Sequence, residues 1–438
     1  MAAPTGRAAS NLQERGGAGA EASTLHSLIF KHDLAGKPGR GTGGSVTIAP
    51  PPVPHGAAWV VDEASMVQVS LANEVLARFG AEHMRSLLWV GDDRQLPAIG
   101  ATGGALLRDL MRLDRDLVPV VRLTRIFRQA PSGSGPSRIA VAARRVSEGL
   151  APEGVAAELG RTARAPPAPI DGPALPGEWA VELLDQINGR DELLVTRAVE
   201  RVVALEAARG RPGSVVAAND TRPQVLAQRN ATVEKLNARL RELPMCNPRA
   251  TNGPPKVEVP RRAPSGRDDG PTTWRVGDRV LNTHNRNVNG RRVIANGDMG
   301  YIESITPKVP VGDTLVNCLF VGGGGVSVRQ EFKLGEANAH LLPGWACTVH
   351  KAQGAEYDHC VVVTDNSLNF QTREALYTGV SRGKRSTTLI TSERHVQSAL
   401  ANSEREKRVT LLSARMRAEM GGDAAVAAAA AAKRRRLA

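Results

Sequence analysis

The stretch Ala57-Ala58-Trp59-Val60-Val61-Asp62-Glu63 decides the fold: a continuous apolar run, too short for a helix, that ends on two carboxylates. Such a run reads as a strand buried on both faces, the type that parallel sheets use. Working outward, Val69 to Phe79 has helical periodicity, and Ser86-Leu87-Leu88-Trp89-Val90 is a second run of buried type, ending in Gly91-Asp92-Asp93. Strand, helix and strand, with acidic residues at the strands' carboxyl ends, predict a parallel α/β sheet with its chemistry along that edge. Upstream, Ser23-Thr24-Leu25-His26-Ser27-Leu28-Ile29 starts a helix with Ser23 or Thr24 as cap. Residues 31–56, rich in Gly and Pro, read as a loop or short hairpin.

The chain has 438 residues, enough for about two or three domains with substantial cores. With 41% apolar and 23% charged residues its composition is globular, although aromatics make up only 3%. No run of 18 apolar residues occurs, and the first residues are polar where a signal peptide needs an apolar stretch, so an intracellular protein without a membrane partner is expected. Cys246, Cys318, Cys347 and Cys360 are too widely spaced for a zinc site or a disulfide framework. Lys and Arg total 57 against 44 Asp and Glu, a net charge of +13, which favours a polyanionic partner such as nucleic acid without specifying a reaction.

Beyond the first sheet, residues 151–178 are rich in Ala, Pro and Gly and read as a linker. Leu194, Ala198, Val202 and Leu205 mark a helix from a cap at Asp191 to a stop at Gly210, and Val225-Leu226-Ala227 with Ala231 to Leu240 gives a strand and helix of a second α/β unit. Arg279-Val280-Leu281, Met299-Gly300-Tyr301-Ile302 and Leu315 to Leu319 are short strands separated by Asn-Gly and Gly-rich turns, as in a small inserted β-barrel. His359 to Val363 and Thr387 to Ile390 return to the α/β pattern. The end, Ala424 to Ala432 followed by Lys433 to Arg436, is of low complexity; its basic cluster fits a nuclear address, a nucleic-acid clamp or a plain solvated end.

Asp62 and Glu63 carry the most chemical information. An aspartate at a strand end can hold Mg²⁺, and a neighbouring glutamate can orient and deprotonate a water for attack on a γ-phosphate; the alternative is a simple helix cap. Four further segments follow in order: Val90-Gly91-Asp92-Asp93-Arg94-Gln95-Leu96-Pro97, Leu123-Thr124-Arg125-Ile126-Phe127-Arg128-Gln129, Ala346 to Tyr357 with Thr348-Val349-His350-Lys351-Ala352-Gln353-Gly354, and Leu376-Tyr377-Thr378-Gly379-Val380-Ser381-Arg382. Together they resemble the Walker B, GDxxQLP, FRQ, TVHKxQG and LYTxVSR motifs of superfamily 1 DNA helicases of the RecD-like branch. Ala3-Pro4-Thr5-Gly6-Arg7 is also similar to a segment with which that family touches the single strand.

The resemblance implies two RecA-like α/β domains, the first without its opening strand and phosphate loop, with an SH3-like β-barrel inserted in the second. The corresponding boundaries are 1–150 for the first domain with a pin over 31–56, the linker 151–178, the second domain over 179–265 and 341–415, the barrel over 266–340 and the tail 416–438. It implies ATP and Mg²⁺ as cofactors and single-stranded and forked DNA as partner, with RNA left open. Asp62 would hold the metal, Glu63 activate water, and Gln95 sense the γ-phosphate. Arg128 and Arg382 would be arginine fingers, each otherwise an ordinary surface arginine. Gly354 and Glu356 would contact ribose and phosphate; Pro4, Thr5, Arg7, Thr348 and His350 would face DNA, although a lone His is more often merely packed. The implied activity is ATP-driven translocation on single-stranded DNA, 5′ to 3′, with duplex unwinding. The alternative is a nucleic-acid-binding module without ATPase activity.

One departure bears on that choice. No G-x-x-x-x-G-K-S/T loop occurs: Gly36-Lys37-Pro38 and Gly383-Lys384-Arg385 are the Gly-Lys pairs, and neither has the hydroxyl residue after lysine. In the family a phosphate loop precedes the segment that begins here at Ala3, so the expectation is either a fragment of a longer helicase or a degenerate copy, and the intact set Asp62, Glu63, Gln95, Arg128 and Arg382 favours the fragment.

Overall fold

The computed structural model describes residues 1–17, 22–34, 56–79, 84–100, 104–113, 118–129, 136–155, 178–184, 192–208, 222–243, 258–261, 273–288, 291–321, 327–365, 371–408 and 412–417. The chain divides into two compact units, Met1–Arg125 with Glu404–Ala438, and Ile126–Ser403.

Unit 1 runs β1 (Ala2–Ala3), α1 (Gly6–Arg15), β2 (Ser23–Thr24), α2 (Leu25–Leu34), β3 (Ala57–Val61), α3 (Val69–Phe79), β4 (Met84–Trp89) and α4 (Leu106–Met111). The four strands form a parallel sheet in the order β2-β1-β3-β4. Helix α3 spans the residues that periodicity picks out and buries Leu71, Ala72, Val75 and Phe79, one face at three- and four-residue spacing. Phe79 meets Trp59 of β3 with ring centroids 4.9 Å apart, within a core that includes Leu25, Ile29, Val61, Leu106 and Leu110. Thr24 caps α2, its Oγ1 accepting from the Ser27 amide at 3.1 Å. Residues 31–34 continue α2 rather than opening a loop; the rest of the expected pin, up to residue 55, lies outside the described residues. Strand β4 departs from expectation. It reads as buried, yet Leu88 is 57% exposed, and among the described residues β4 ends the sheet.

Unit 2 continues with α5 (Arg138–Ser147), β5 (Glu178–Leu183), α6 (Glu192–Ala208), β6 (Gln224–Ala227), α7 (Asn230–Arg241), β7 (Glu258–Pro260), β8 (Thr273–Arg275), β9 (Arg279–Asn282), β10 (Arg286–Val288), β11 (Arg291–Ile294), β12 (Met299–Thr306), β13 (Leu315–Val321), β14 (Ser327–Lys333), α8 (Leu334–His340), β15 (Leu341–Pro343), β16 (Ala346–Thr348), β17 (Tyr357–Val363), α9 (Arg373–Val380), β18 (Gly383–Thr391) and α10 (Glu393–Ala401). A short helix α11 (Glu404–Lys407) belongs to unit 1. Five strands form a parallel sheet, β16-β6-β17-β18-β5, around a core of Leu194, Val202, Val225, Leu236, Val361 and Ile390. The edge strand β16 is held by Asn237 of α7, whose side chain donates to the Ala346 carbonyl at 3.0 Å and accepts its amide at 2.9 Å.

Between α7 and β16 in the chain lies a five-stranded antiparallel sheet, β14-β13-β12-β9-β15, with its own core of Trp274, Val280, Ile302, Val316, Phe320 and Phe332. The end strands β14 and β15 do not pair with each other among the described residues, so what is seen is an open antiparallel sheet. Two devices fix it to the α/β part of unit 2. Arg241 grips Asp278 through two bonds of 2.7 Å, both side chains being almost fully buried. The Trp345 ring meets both the Arg222 and the Arg279 guanidinium groups, 5.5 and 5.6 Å from its centroid. The boundary between compact units, at 125/126, differs from the expected one after residue 150 because α5 packs on α9 and β5. Most of the expected linker, residues 156–177, and all of the tail beyond residue 417 lie outside the described residues. Among the described residues no helix is long and apolar enough to cross a membrane.

The Arg241–Asp278 pair sets a stability test. Burial pushes the Asp278 carboxyl pKa up, opposed by the adjacent Arg241 charge, so removing that charge leaves a buried carboxylate uncompensated. Arg241→Ala is expected to cost about 3–5 kcal/mol, read as a lowered urea midpoint of the unit 2 transition followed by tryptophan fluorescence.

Candidate nucleotide and nucleic-acid site

In unit 1 the residues of interest gather at the carboxyl ends of β1, β3 and β4. The Asp62 amide donates to the Ala2 carbonyl at 3.0 Å, and the Ala64 amide to the Val90 carbonyl at 2.8 Å, which draws the turn after β3 against the end of β4. That approach needs a residue without a side chain: a Cβ on Gly91 would lie 2.9 Å from the Ala64 nitrogen. Asp62 is half-buried, and its Oδ1 accepts from the Glu63 amide at 2.8 Å. Glu63 adopts φ 52°, ψ 40°, the one non-glycine residue with positive φ among those described. A left-handed glutamate costs about 1–3 kcal/mol and persists where its surroundings enforce it, commonly at functional sites.

The loop after β4 places Gln95 nearby in sequence and structure. The Asp92 carboxylate accepts from the Arg94 amide at 3.0 Å and from Gln95 Nε2 at 3.4 Å, and the Asp92 carbonyl accepts the Gln95 amide at 3.2 Å. Gln95 is buried, and its Oε1 has no hydrogen-bond partner in the structure. A second anchor of this loop is not apparent in the sequence: residues 404–408, from the far end of the chain, strap it. Arg405 pairs with Asp93 at 3.2 Å, Arg408 donates to the carbonyls of Ala98 and Gly104, and Arg108 donates to the carbonyls of Arg405 and Arg408. Pro4, Thr5 and Arg7 stand at the end of β1, all half-buried; Thr5 caps α1, its Oγ1 accepting from the Ala8 amide at 3.2 Å.

Unit 2 assembles a separate cluster. Arg128 donates through Nε to Glu356 at 3.0 Å and through Nη1 to the Ser381 carbonyl at 2.9 Å, while Gln129 donates to the Gly383 carbonyl at 2.8 Å. Lys384 pairs with the other Glu356 oxygen at 3.2 Å. Arg128 therefore joins the FRQ segment both to Glu356 and to Ser381 of the LYTxVSR segment, a partnership that spacing alone does not reveal. Gly354 enters the same turn at φ +73°, a conformation that a side chain would strain. Arg382 is fully buried, its guanidinium donating to the Thr378 and Ala355 carbonyls and to Ser381 Oγ at 3.0–3.2 Å. Thr348 is buried as well, its Oγ1 accepting the Lys351 amide at 3.3 Å, whereas His350 is exposed. Lys351 lines a cavity of about 260 Å³ with Asn230, Glu234, Arg261 and Cys347. Burial there pulls the Arg261 pKa down, partly offset by Glu234.

Among the described residues no group of three or more His, Cys, Asp and Glu side chains has the geometry to hold a metal. Asp62 nevertheless fits Mg²⁺, which commonly takes one or two protein carboxylates and completes its shell with water and substrate phosphates.

The AAA domain family model matches residues 1–163, and that of the UvrD-like helicase C-terminal domain matches residues 343–390. The RecD subunit of the RecBCD enzyme from two Mycobacterium tuberculosis strains, CDC 1551 / Oshkosh and H37Rv, is 28% identical over 440 residues, covering 96% of this chain and 64% of the relative. The chain thus spans 64% of the length of these curated relatives. Among solved structures it is similar to the Pif1 helicase from Candida albicans, at TM-score 0.45 and 15% identity over 96% of this chain and 88% of that one. It is also similar to Pif1 from Bacteroides in complex with ADP-AlF3 and ssDNA, at TM-score 0.44 and 16% identity over 88% and 81%. The chain is thus similar to an AAA domain at one end and to a UvrD-like helicase C-terminal domain toward the other, and to RecD through nearly its whole length.

Proposed function

We propose that the chain is the motor portion of an ATP-dependent DNA helicase that moves 5′ to 3′ on single-stranded DNA and opens forked duplexes. The observation that carries this reading is the strained Asp62-Glu63 turn at the carboxyl end of β3, drawn against the β4 loop in which Gln95 holds a buried, unpartnered Oε1. Unit 1 and the parallel sheet of unit 2 are read as the two RecA-like domains, and the antiparallel insertion as the SH3-like module.

In this reading Asp62 would hold Mg²⁺, which would supply positive charge to the phosphoryl oxygens. Glu63, held in a left-handed backbone conformation, accepts the proton of the attacking water on its carboxylate. Gln95 offers its amide to the γ-phosphate. Arg128 brings a partly exposed guanidinium; Arg382, tied to three acceptors, would have to leave them to act as a second finger. Gly354 and Glu356 shape the ribose and phosphate side. His350, with Pro4, Thr5 and Arg7, meets the DNA backbone, and Thr348 braces the turn that presents His350.

The second reading, a nucleic-acid-binding module without turnover, is favoured by one observation: these 438 residues contain no G-x-x-x-x-G-K-S/T loop. ATP hydrolysis stimulated by single-stranded DNA separates the two.

The basic chain should bind single-stranded DNA with an affinity that falls by roughly 10³-fold between 50 and 200 mM salt, as for about six phosphate contacts; fluorescence anisotropy at several salt concentrations measures this, and a flat profile overturns the electrostatic account. When a phosphate-loop segment is joined ahead of Met1, Glu63→Gln should abolish turnover while nucleotide still binds. Arg128→Ala should slow turnover by about 10³–10⁵-fold in a coupled ATPase assay. The same fusion should unwind duplexes with a 5′ single-stranded tail and leave those with only a 3′ tail intact.

A further inference from the structure

The cavity of about 260 Å³ in unit 2 lies at the seam where the antiparallel insertion meets α7 and the turn after β16. Protein interiors pack closely and keep few voids larger than a water molecule, whereas ligand pockets begin at roughly 300 Å³, close to this size. Val233 of α7, Leu281 of β9 and Leu342 and Pro343 of β15 give the cavity apolar walls. Two polar residues of the lining are already engaged. The Asn237 side chain is bonded to both backbone groups of Ala346, and Thr283 Oγ1 donates to the His340 carbonyl at 2.9 Å.

Charge decides what suits this space. Arg261, Lys351 and Glu234 are the charged residues of the lining, two cations against one carboxylate, which leaves an excess of one positive charge. Arg261 is buried, its guanidinium 5.4 Å from the centroid of the Trp274 ring, while Lys351 is exposed and stands where the cavity opens to solvent. Partial or full burial lowers the pKa of both side chains, and Glu234 opposes the shift in each. Both cations have thus lost hydration that Glu234 makes good only in part, and a bound anion supplies the remainder. A guanidinium meets a carboxylate through paired N–H bonds. A dianion such as a phosphate monoester would meet the same cations but be repelled more strongly by Glu234, so a single negative charge fits better. The apolar walls take the body of such a ligand, for which a DNA backbone, charged at every residue, has no counterpart.

We propose that this cavity is a binding site for a small organic monoanion with a compact apolar body, of the class of aromatic carboxylates, its carboxylate held by Arg261 and Lys351. The lining comes from α7 and the turn after β16 on one side and from β9, α8 and β15 on the other, so an occupant bridges the parallel sheet and the insertion. The site stands apart from the proposed motor function and does not depend on it.

The probe is 2-naphthoate, titrated into the full 438-residue chain by calorimetry at mildly alkaline pH. Saturable one-to-one binding is expected, with the neutral 2-naphthamide and the dianionic 2-naphthyl phosphate each at least about tenfold weaker. Arg261→Gln should weaken naphthoate at least about tenfold, whereas Glu234→Gln, which removes the opposing charge, should tighten it about threefold or more. Ala339, on α8, lines the cavity at an exposed position, so Ala339→Phe should abolish binding with an unchanged melting temperature, and it keeps the test decisive if Arg261→Gln fails to fold. A folded chain without saturable naphthoate binding overturns the site, as does equal affinity for the amide or binding that Ala339→Phe leaves intact. Displacement of naphthoate by oligothymidylate also overturns it, by assigning the cavity to a nucleic-acid strand instead.

Discussion

The close approach of Gly91 to the backbone of Ala64 governs the geometry of the first unit. It lets the end of β4 rise against the turn after β3, and the 2.8 Å bond from Ala64 to Val90 then locks the two strand ends in step. In the turn that follows Val61, Glu63 adopts a left-handed backbone, a conformation costly for a residue with a side chain. The same constraint sets the loop that follows, in which Asp92 gathers the Arg94 and Gln95 nitrogens. A larger residue at position 91 would separate the strand ends, and Asp62, Glu63 and Gln95 would no longer share one edge.

That edge was largely legible in the sequence because a buried strand ending in carboxylates leaves few alternatives. The limits of α3, the strand Val225-Leu226-Ala227 inside β6 and the helix α7 follow from periodicity alone, since each presents one apolar face at regular spacing. Hidden from the sequence were relations across long separations. Nothing local indicates that residues 404–408 strap the Gln95 loop, because their signal is a few arginines in a basic chain. The exposure of β4 was also hidden, since Leu87-Leu88-Trp89-Val90 reads as interior whatever stands beside it. Thr348 illustrates a different limit. A threonine in a motif reads equally well as a ligand contact or as the bracket of its own turn, and here its Oγ1 accepts the Lys351 amide.

Unit 2 shows how one structural part can be both separate and rigidly placed. The antiparallel insertion has its own apolar core, so it could fold around Trp274 and Phe320 without reference to the parallel sheet. Its attachment uses charge as well: Arg241 on Asp278, and the Arg222 and Arg279 guanidinium groups over the Trp345 ring. Paired charges and cation–π contacts are directional where apolar packing is not, which suits an attachment that must hold one orientation. Tyr301 of the insertion, edge-on to Trp345 at 6.5 Å, joins the core of the parallel sheet and extends that contact.

The two arginines read as fingers differ in what holds them, and that difference orders their roles in the proposed function. Arg382 is fully enclosed and bonded to carbonyl and hydroxyl oxygens of its own turn, so freeing it would leave those acceptors buried and unmet. Arg128 is 30% exposed, and its main side-chain partner is the Glu356 carboxylate, itself shared with Lys384. A carboxylate and a phosphoryl group offer a guanidinium the same pair of anionic oxygens, so exchanging one for the other costs Arg128 little, and Lys384 still compensates the released Glu356. Of the two, Arg128 is therefore the side chain free to follow a phosphate, and Arg382 the one that fixes the turn from which Arg128 departs.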